Sequence, residues 1–365
     1  MSDLITLAAD LVRIDSRSFV SNLPVADRIE AELAGFDIER LDYVDPAGVA
    51  KRAIVAHRGP AGGLALSGHM DTVPATGWNT DPWSGHIADG NLHGLGSTDM
   101  KGPVAACIVA ARELPDNIPI TLLFTTDEET SKQGARLIAT NSALVRQVKP
   151  TAILIAEPTS LTPVRGHRSA IGFVVTATGI QAHSSTGKGR NANWALAPFV
   201  LDMRAIYERL RDDPTMHDPG YDPPFSDFNI VIDNFGAPVN MTVPKAEARI
   251  KFRYSASIDP APILVAVREA AARHGLDLVV AAEGQPPELP LDHPWLRTCV
   301  DMLGRAATTA PYGTDAAELQ SIAPCVILGP GDVAVAHRPA ESVELCQLRE
   351  AVTIFKQLAA KQFFL

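Results

Sequence analysis

Hydrophobic and polar positions change their rhythm twice along the chain. Up to about residue 170, apolar runs of strand length alternate with helical stripes. Leu4, Leu7, Ala8, Leu11 and Val12 share one face of a helix over 3–15, and a second helix follows over 24–34. Ala53–His57 and Leu64–Gly68 read as strands, and Lys101–Leu114 as a helix that tolerates Pro103 in its first turn. Ile118–Thr125 is a strand, Gln133–Val145 a helix and Ala152–Ala156 a buried strand. Such alternation predicts a mainly parallel sheet with helices on both faces.

The middle of the chain reads differently. Strands at Ile171–Thr178, Phe228–Ile232, Ala246–Tyr254 and Leu276–Ala282 are interleaved with helices at Asn193–Leu210 and Pro262–His274. In order this is β-α-β-β-α-β, the ferredoxin-like arrangement. A Pro-rich return at Gly284–Pro290 precedes helix Pro294–Ala307, a short helix Ala316–Ser321, strand Cys325–Leu328 and a last helix Glu344–Lys361. The expectation is an α/β domain over 1–169 and 285–365, interrupted by an inserted domain over 170–284.

Polar residues concentrate where the apolar runs stop. Leu64–Gly68 ends in Gly-His-Met-Asp, and alternate residues of an extended chain point the same way, so Asp71 can back His69. Asp99 lies just ahead of the Lys101 helix, at the end of a loop from Thr76 to Thr98 that is too long for a mere connection. Asp127, Glu128 and Glu129 follow the Ile118–Thr125 strand, and neighbouring carboxylates raise one another's pKa unless a cation compensates them. Glu157 follows Ala152–Ala156, while Gly329-Pro330-Gly331 and His337 follow Cys325–Leu328. Strand ends of this kind line one edge of an open α/β sheet, where ligands bind. Three carboxylates and two imidazoles suit a pair of divalent ions with one bridging carboxylate, Zn²⁺ best and Co²⁺ or Mn²⁺ as substitutes. One acid, Glu128 or Glu129, is then left over as a general base.

Composition narrows the class without changing that picture. At 365 residues two cores are expected. A net charge of −10 argues against nucleic acid or an anionic membrane as partner. The four cysteines are scattered with no Cys-x-x-Cys pair, which fits free thiols in a reducing cytoplasm. The N-terminal stretch carries no basic n-region or cleavage site, and no apolar run is long enough to span a bilayer.

Six motifs together resemble the M20 family of co-catalytic metallohydrolases, which includes acetylornithine deacetylase, succinyl-diaminopimelate desuccinylase and related peptidases. They are Gly-His-Met-Asp-Thr-Val-Pro (68–74), Trp78 with Asp81-Pro82-Trp83, Gly-x-x-Asp-Met-Lys-Gly (96–102), Asp-Glu-Glu (127–129), Ala-Glu-Pro-Thr (156–159) and Gly-Pro-Gly-Asp with Ala-His (329–337). The resemblance implies a two-metal catalytic domain bearing a lid domain through which subunits dimerise. It implies that Asp99 bridges the ions, with His69 and Glu157 completing one site and Glu129 and His337 the other. Glu128 becomes the general base and Asp71 the support of His69. In the lid, Ile180–Ser185 resembles the segment whose histidine, here His183, reaches a neighbouring subunit's substrate. Asn240 and Arg253 match substrate-binding positions, whereas Met241 stands where some relatives have arginine. Gly329 is expected at the substrate carboxylate or as a point of backbone clearance, and His167 is a further substrate-side candidate.

The activity so implied is hydrolysis of an N-acyl amino acid, with acetylornithine the first choice. Desuccinylation of succinyl-diaminopimelate and dipeptide or C-terminal peptide cleavage are the alternatives. A non-catalytic binding protein fits poorly, because a binding cleft needs neither five ligands nor a spare Glu128.

Overall fold

The computed structural model describes residues 3–361. Two compact units emerge: the larger runs up to Gly166, through Pro287–Thr309 and from Thr314 onward, the smaller comprises His167–Pro286 and Ala310–Gly313. The larger is built on an eight-stranded sheet in the order Asp37–Val44, Ala50–Arg58, Ile120–Thr125, Leu64–His69, Ala152–Ile155, Cys325–Ile327, Val164–His167, Thr308–Ala310. The four consecutive strands from Ile120–Thr125 to Cys325–Ile327 are parallel. Every residue of these four strands is buried, which is why they appear in sequence as continuous apolar runs. Antiparallel strands extend the sheet on both sides.

Asp37–Val44 was not foreseen. It is an edge strand that pairs only with Ala50–Arg58 and none of its residues is fully buried, so its charged sequence carries no apolar signature. The long 76–98 loop contains a hairpin, His86–Ala88 and Asn91–His93, which Ser342–Glu344 widens to three strands. The expected helix over Gln133–Val145 is two helices, Gln133–Asn141 and Ala143–Val148. Ser142 divides them, its hydroxyl accepting the Val145 N–H at 3.0 Å.

Helices Leu4–Val12, Lys101–Glu113 and Leu345–Ala360 bury their apolar faces in one core with the parallel strands. Trp295 is fully buried in that core, and its indole N–H donates to the Ile153 carbonyl at 3.0 Å. Trp295→Ala is expected to cost the larger unit about 3–5 kcal/mol. Trp295→Phe, which loses the hydrogen bond and part of the buried ring volume, should cost less, about 1–3 kcal/mol. Urea unfolding followed by circular dichroism measures both.

The smaller unit has a four-stranded antiparallel sheet in the order Asp227–Asp233, Lys245–Tyr254, Ser169–Thr178, Asp277–Ala282. Helices Asn193–Asp212 and Ala261–Arg273 cover one face, over a core that includes Phe173, Phe199, Phe228 and Phe252. The inserted ferredoxin-like arrangement is thus present. No helix among the described residues is long and apolar enough to cross a membrane. Cys107, Cys299 and Cys325 are buried free thiols, and Cys346 is an exposed one.

Candidate metal centre

Each parallel strand delivers polar side chains as it ends. His69, the last residue of Leu64–His69, is almost fully buried. Its Nδ1–H donates to the main-chain carbonyl of Asp71 at 2.9 Å, which leaves Nε2 3.0 Å from Asp99 Oδ1 and 3.8 Å from Glu157 Oε1. The sequence had suggested the Asp71 carboxylate as the brace of this imidazole. That carboxylate instead lies 3.7 Å from Nδ1 and is engaged elsewhere, accepting from Ser18 Oγ at 2.7 Å, Glu128 N at 3.1 Å and Glu129 N at 3.3 Å. Asp71 therefore fixes the tautomer through its carbonyl, and its side chain holds the acidic turn.

His337 follows strand Cys325–Ile327, and its Nε2 lies 3.0 Å from Glu129 Oε1 and 3.2 Å from Asp99 Oδ2. The two oxygens of Asp99 thus face different histidines. Two groups of donors result, His69–Asp99–Glu157 and Asp99–Glu129–His337, each with its donor atoms within 4.8 Å of one another. Separations near 3.0–3.8 Å are those of atoms that share one ion at about 2.0–2.2 Å.

The electrostatics fit a cation equally well. Burial, reinforced by the Asp99 charge, raises Glu157 well above the usual carboxylate range. Burial, with Asp99 and Glu128 adding to it, pushes Glu129 up to about 7. Against the penalty of burial, hydrogen bonds from His337 and His69 hold Asp99 well below its ordinary value. Hydrogen bonds to Asp99 and Glu129 raise His337 to about 11. His69 is raised despite its burial, first by the hydrogen bond to Asp99 and then by the Glu157 charge. So many buried carboxylates around two imidazoles call for positive charge, and a divalent ion in each group supplies it without protonating a ligand.

Glu128 belongs to neither group. Lys132 Nζ holds its Oε1 at 2.8 Å. The turn that carries it is anchored from behind: buried Lys51 pairs with Asp127 Oδ1 at 2.9 Å, and the Tyr43 hydroxyl donates to Asp127 Oδ2 at 2.6 Å. Asp315, also buried, accepts from Thr125 Oγ1, and burial together with the Glu128 charge lifts it to about 7. Lys51 and Tyr43 escaped the sequence reading, and Asp315 stood in it only as part of a family-like Tyr312–Asp315 segment with no role assigned. The available signal was Lys51 itself, a cation at the inward-facing register of Ala53 and Val55. A cavity of about 380 Å³ opens beside Glu129, with Ser18, Phe19, Val73, Pro74 and Thr130 in its walls.

Gly329 reads as a clearance position. A Cβ there would come within 2.1 Å of the Ala156 carbonyl oxygen and 2.5 Å of that of Glu157, and its N–H donates to Thr159 Oγ1 at 3.2 Å. His167 is fully buried, its Nδ1–H donating to the Arg168 carbonyl at 2.8 Å.

In the smaller unit His183 and Asn240 are brought together. Ser184 N donates to the Asn240 carbonyl at 2.9 Å, and His183 pairs with Met241 in a short bridge. His183 Nδ1 accepts from Ser185 N at 3.3 Å and faces Ser185 Oγ at 2.8 Å. Its proton therefore sits on Nε2, ready to donate. Arg253 is engaged differently, its Nη1 donating to Asp227 Oδ2 at 2.6 Å across the strand pair.

Two donor groups sharing one carboxylate, at the ends of buried parallel strands, mark a metal-dependent hydrolase. The description "Peptidase family M20/M25/M40" matches residues 65–361. The acetylornithine deacetylase of Proteus mirabilis (strain HI4320) is 32% identical over 341 residues, spanning 90% of this chain and 86% of that protein. One from Vibrio vulnificus (strain CMCP6) is 31% identical over 344 residues, spanning 90% and 88%. Among solved structures, the di-peptidase Dug1p from Saccharomyces cerevisiae shares the fold with a TM-score of 0.78 at 14% identity, over 98% of this chain and 96% of that one. The chain belongs to the M20 peptidase family and is an amide-cleaving, metal-dependent hydrolase.

Proposed function

We propose that the chain removes an N-acyl group, acetyl in the first instance, from an amino acid such as N-acetylornithine. The observation that carries this reading is the Asp99 carboxylate shared by two donor groups with Glu128 left outside both. The choice of acyl group leans on the relatives named acetylornithine deacetylase. In this reading two Zn²⁺ ions are held by His69, Asp99 and Glu157 and by Asp99, Glu129 and His337. When bound, such a pair polarises the amide carbonyl and lowers the pKa of water. Glu128 takes the proton of the attacking water and later passes it to the leaving amine. The Nε2–H of His183 donates to the developing oxyanion, and Arg253 and Asn240 orient the amino-acid portion.

We propose further that the smaller unit pairs two subunits. In support, its edge strand exposes Val231 and Ile232, and helix Asn193–Asp212 exposes Trp194 and Leu201. Free thiols throughout the described residues are consistent with work in the cytoplasm.

Metal-depleted protein should be inactive and regain activity with Zn²⁺ or Co²⁺, with up to two ions per chain by elemental analysis. Full activity without metal would overturn the assignment. Steady-state rates on acetylornithine, acetylcitrulline, succinyl-diaminopimelate and a dipeptide panel identify the substrate. A preference for dipeptides would replace the deacylase reading with the peptidase one.

A further inference from the structure

Two carboxylates outside the ligand set do the same thing at opposite ends of the centre. Asp71, two residues after His69, accepts the consecutive main-chain N–H groups of Glu128 and Glu129. Glu341, four residues after His337, accepts the consecutive N–H groups of Thr98 and Asp99 on its Oε1, at 2.9 and 3.0 Å. In each case a loop that carries a histidine grips a loop that carries a carboxylate. Glu341 is 1% exposed, and the grip spans 242 residues of sequence between itself and Asp99. A buried carboxylate set on two adjacent amides has few ways to move, so the backbone that aims Asp99 is tied to the one that aims His337.

We propose that Glu341 is a positioning residue, a clasp that sets Asp99 against His337 and so tunes the second metal site, as Asp71 sets Glu129 against His69. This rests on Asp99 and His337 being ligands. Other contacts also hold this segment, since Gly94 N donates to the Glu341 carbonyl at 3.0 Å and Ser342–Glu344 pairs with Asn91–His93. What the clasp supplies is an acceptor at the right reach, so charge matters less than length.

Two conservative variants separate those properties in the full chain. Glu341→Gln keeps the reach and loses the charge, whereas Glu341→Asp keeps the charge and falls one methylene short. Metal-depleted proteins are titrated with Co²⁺ by calorimetry, and amide exchange at Thr98 and Asp99 is followed before metal is added. The expected result is that Glu341→Asp weakens one of the two Co²⁺ ions by about 10–100-fold, the usual range for a residue supporting a ligand. Exchange at Thr98 and Asp99 should quicken in the same variant. Glu341→Gln should stay within a few-fold of wild type in both measurements. Wild-type affinities for both ions in Glu341→Asp overturn the clasp, as does a Glu341→Gln that fails equally. A wild-type chain that takes up no pair of Co²⁺ ions overturns the ligand reading along with it.

Discussion

Glu128→Gln is expected to take up two ions as the wild type does and to lose about two to four orders of magnitude in kcat, the range for a general base. The substitution preserves shape but removes a carboxylate that lies outside both donor groups, whereas Asp127, the other such acid of the turn, is taken up by Lys51 and Tyr43. Lys132 fixes one oxygen of this side chain at 2.8 Å, and Asp71 holds its main chain, so the amide will sit where the acid sat. Glu129→Gln is the contrast. It withdraws an oxygen 3.0 Å from His337 Nε2, and metal content should fall. Elemental analysis beside steady-state kinetics reads both. If Glu128→Gln lost metal while Glu129→Gln kept it, the two roles would be exchanged.

The second large effect concerns His183. His183→Ala should fold, bind metal and dimerise, yet lose most of its kcat, because in the proposed mechanism the missing donor serves the oxyanion, where one well-placed group is worth ~3–4 kcal/mol. If the donor serves the neighbouring chain, each active site needs two subunits related by an isologous interface. Mixing His183→Ala with Glu128→Gln then yields heterodimers with one site lacking both groups and one lacking neither. Activity should rise from near zero towards half of wild type per heterodimer. A mixture that stays inactive, with exchange verified by mass spectrometry, would place the action of His183 within its own chain or nowhere.

What could be read ahead of the structure follows from where each residue's partners lie. Leu64–His69 and Ala152–Ile155 were visible because both faces of a central parallel strand are buried and its sequence is mostly apolar. Asp37–Val44 was not, since an edge strand needs no such run. The hairpin inside the long loop did leave a trace, Asp89-Gly90, a two-residue turn with both φ angles positive. The candidate donors were legible as polar residues at the ends of apolar runs. Lys51, Tyr43 and Glu341 were not, because their meaning lies in partners 76, 84 and 242 residues away. The brace of His69 was misjudged for a smaller reason. Spacing places Asp71 near the imidazole, but only the bend of the chain decides whether carbonyl or carboxylate meets it.

The order of the large sheet also sets a timetable for biosynthesis. Cys325–Ile327 lies between Ala152–Ile155 and Val164–His167, so a growing chain makes both neighbours of that strand long before the strand itself. Some 170 residues separate Ile155 from Cys325, and at about 5–20 residues per second the slot stays open for roughly ten to thirty seconds. Through that interval the apolar strand Ala152–Ile155 presents an unpaired edge, the kind of template on which nascent chains stick to one another. A ribosome-bound fragment stopped before Cys325 therefore lacks the strand that fills the slot, whereas synthesis past Glu341 supplies that strand, His337 and Glu341 in the same stretch.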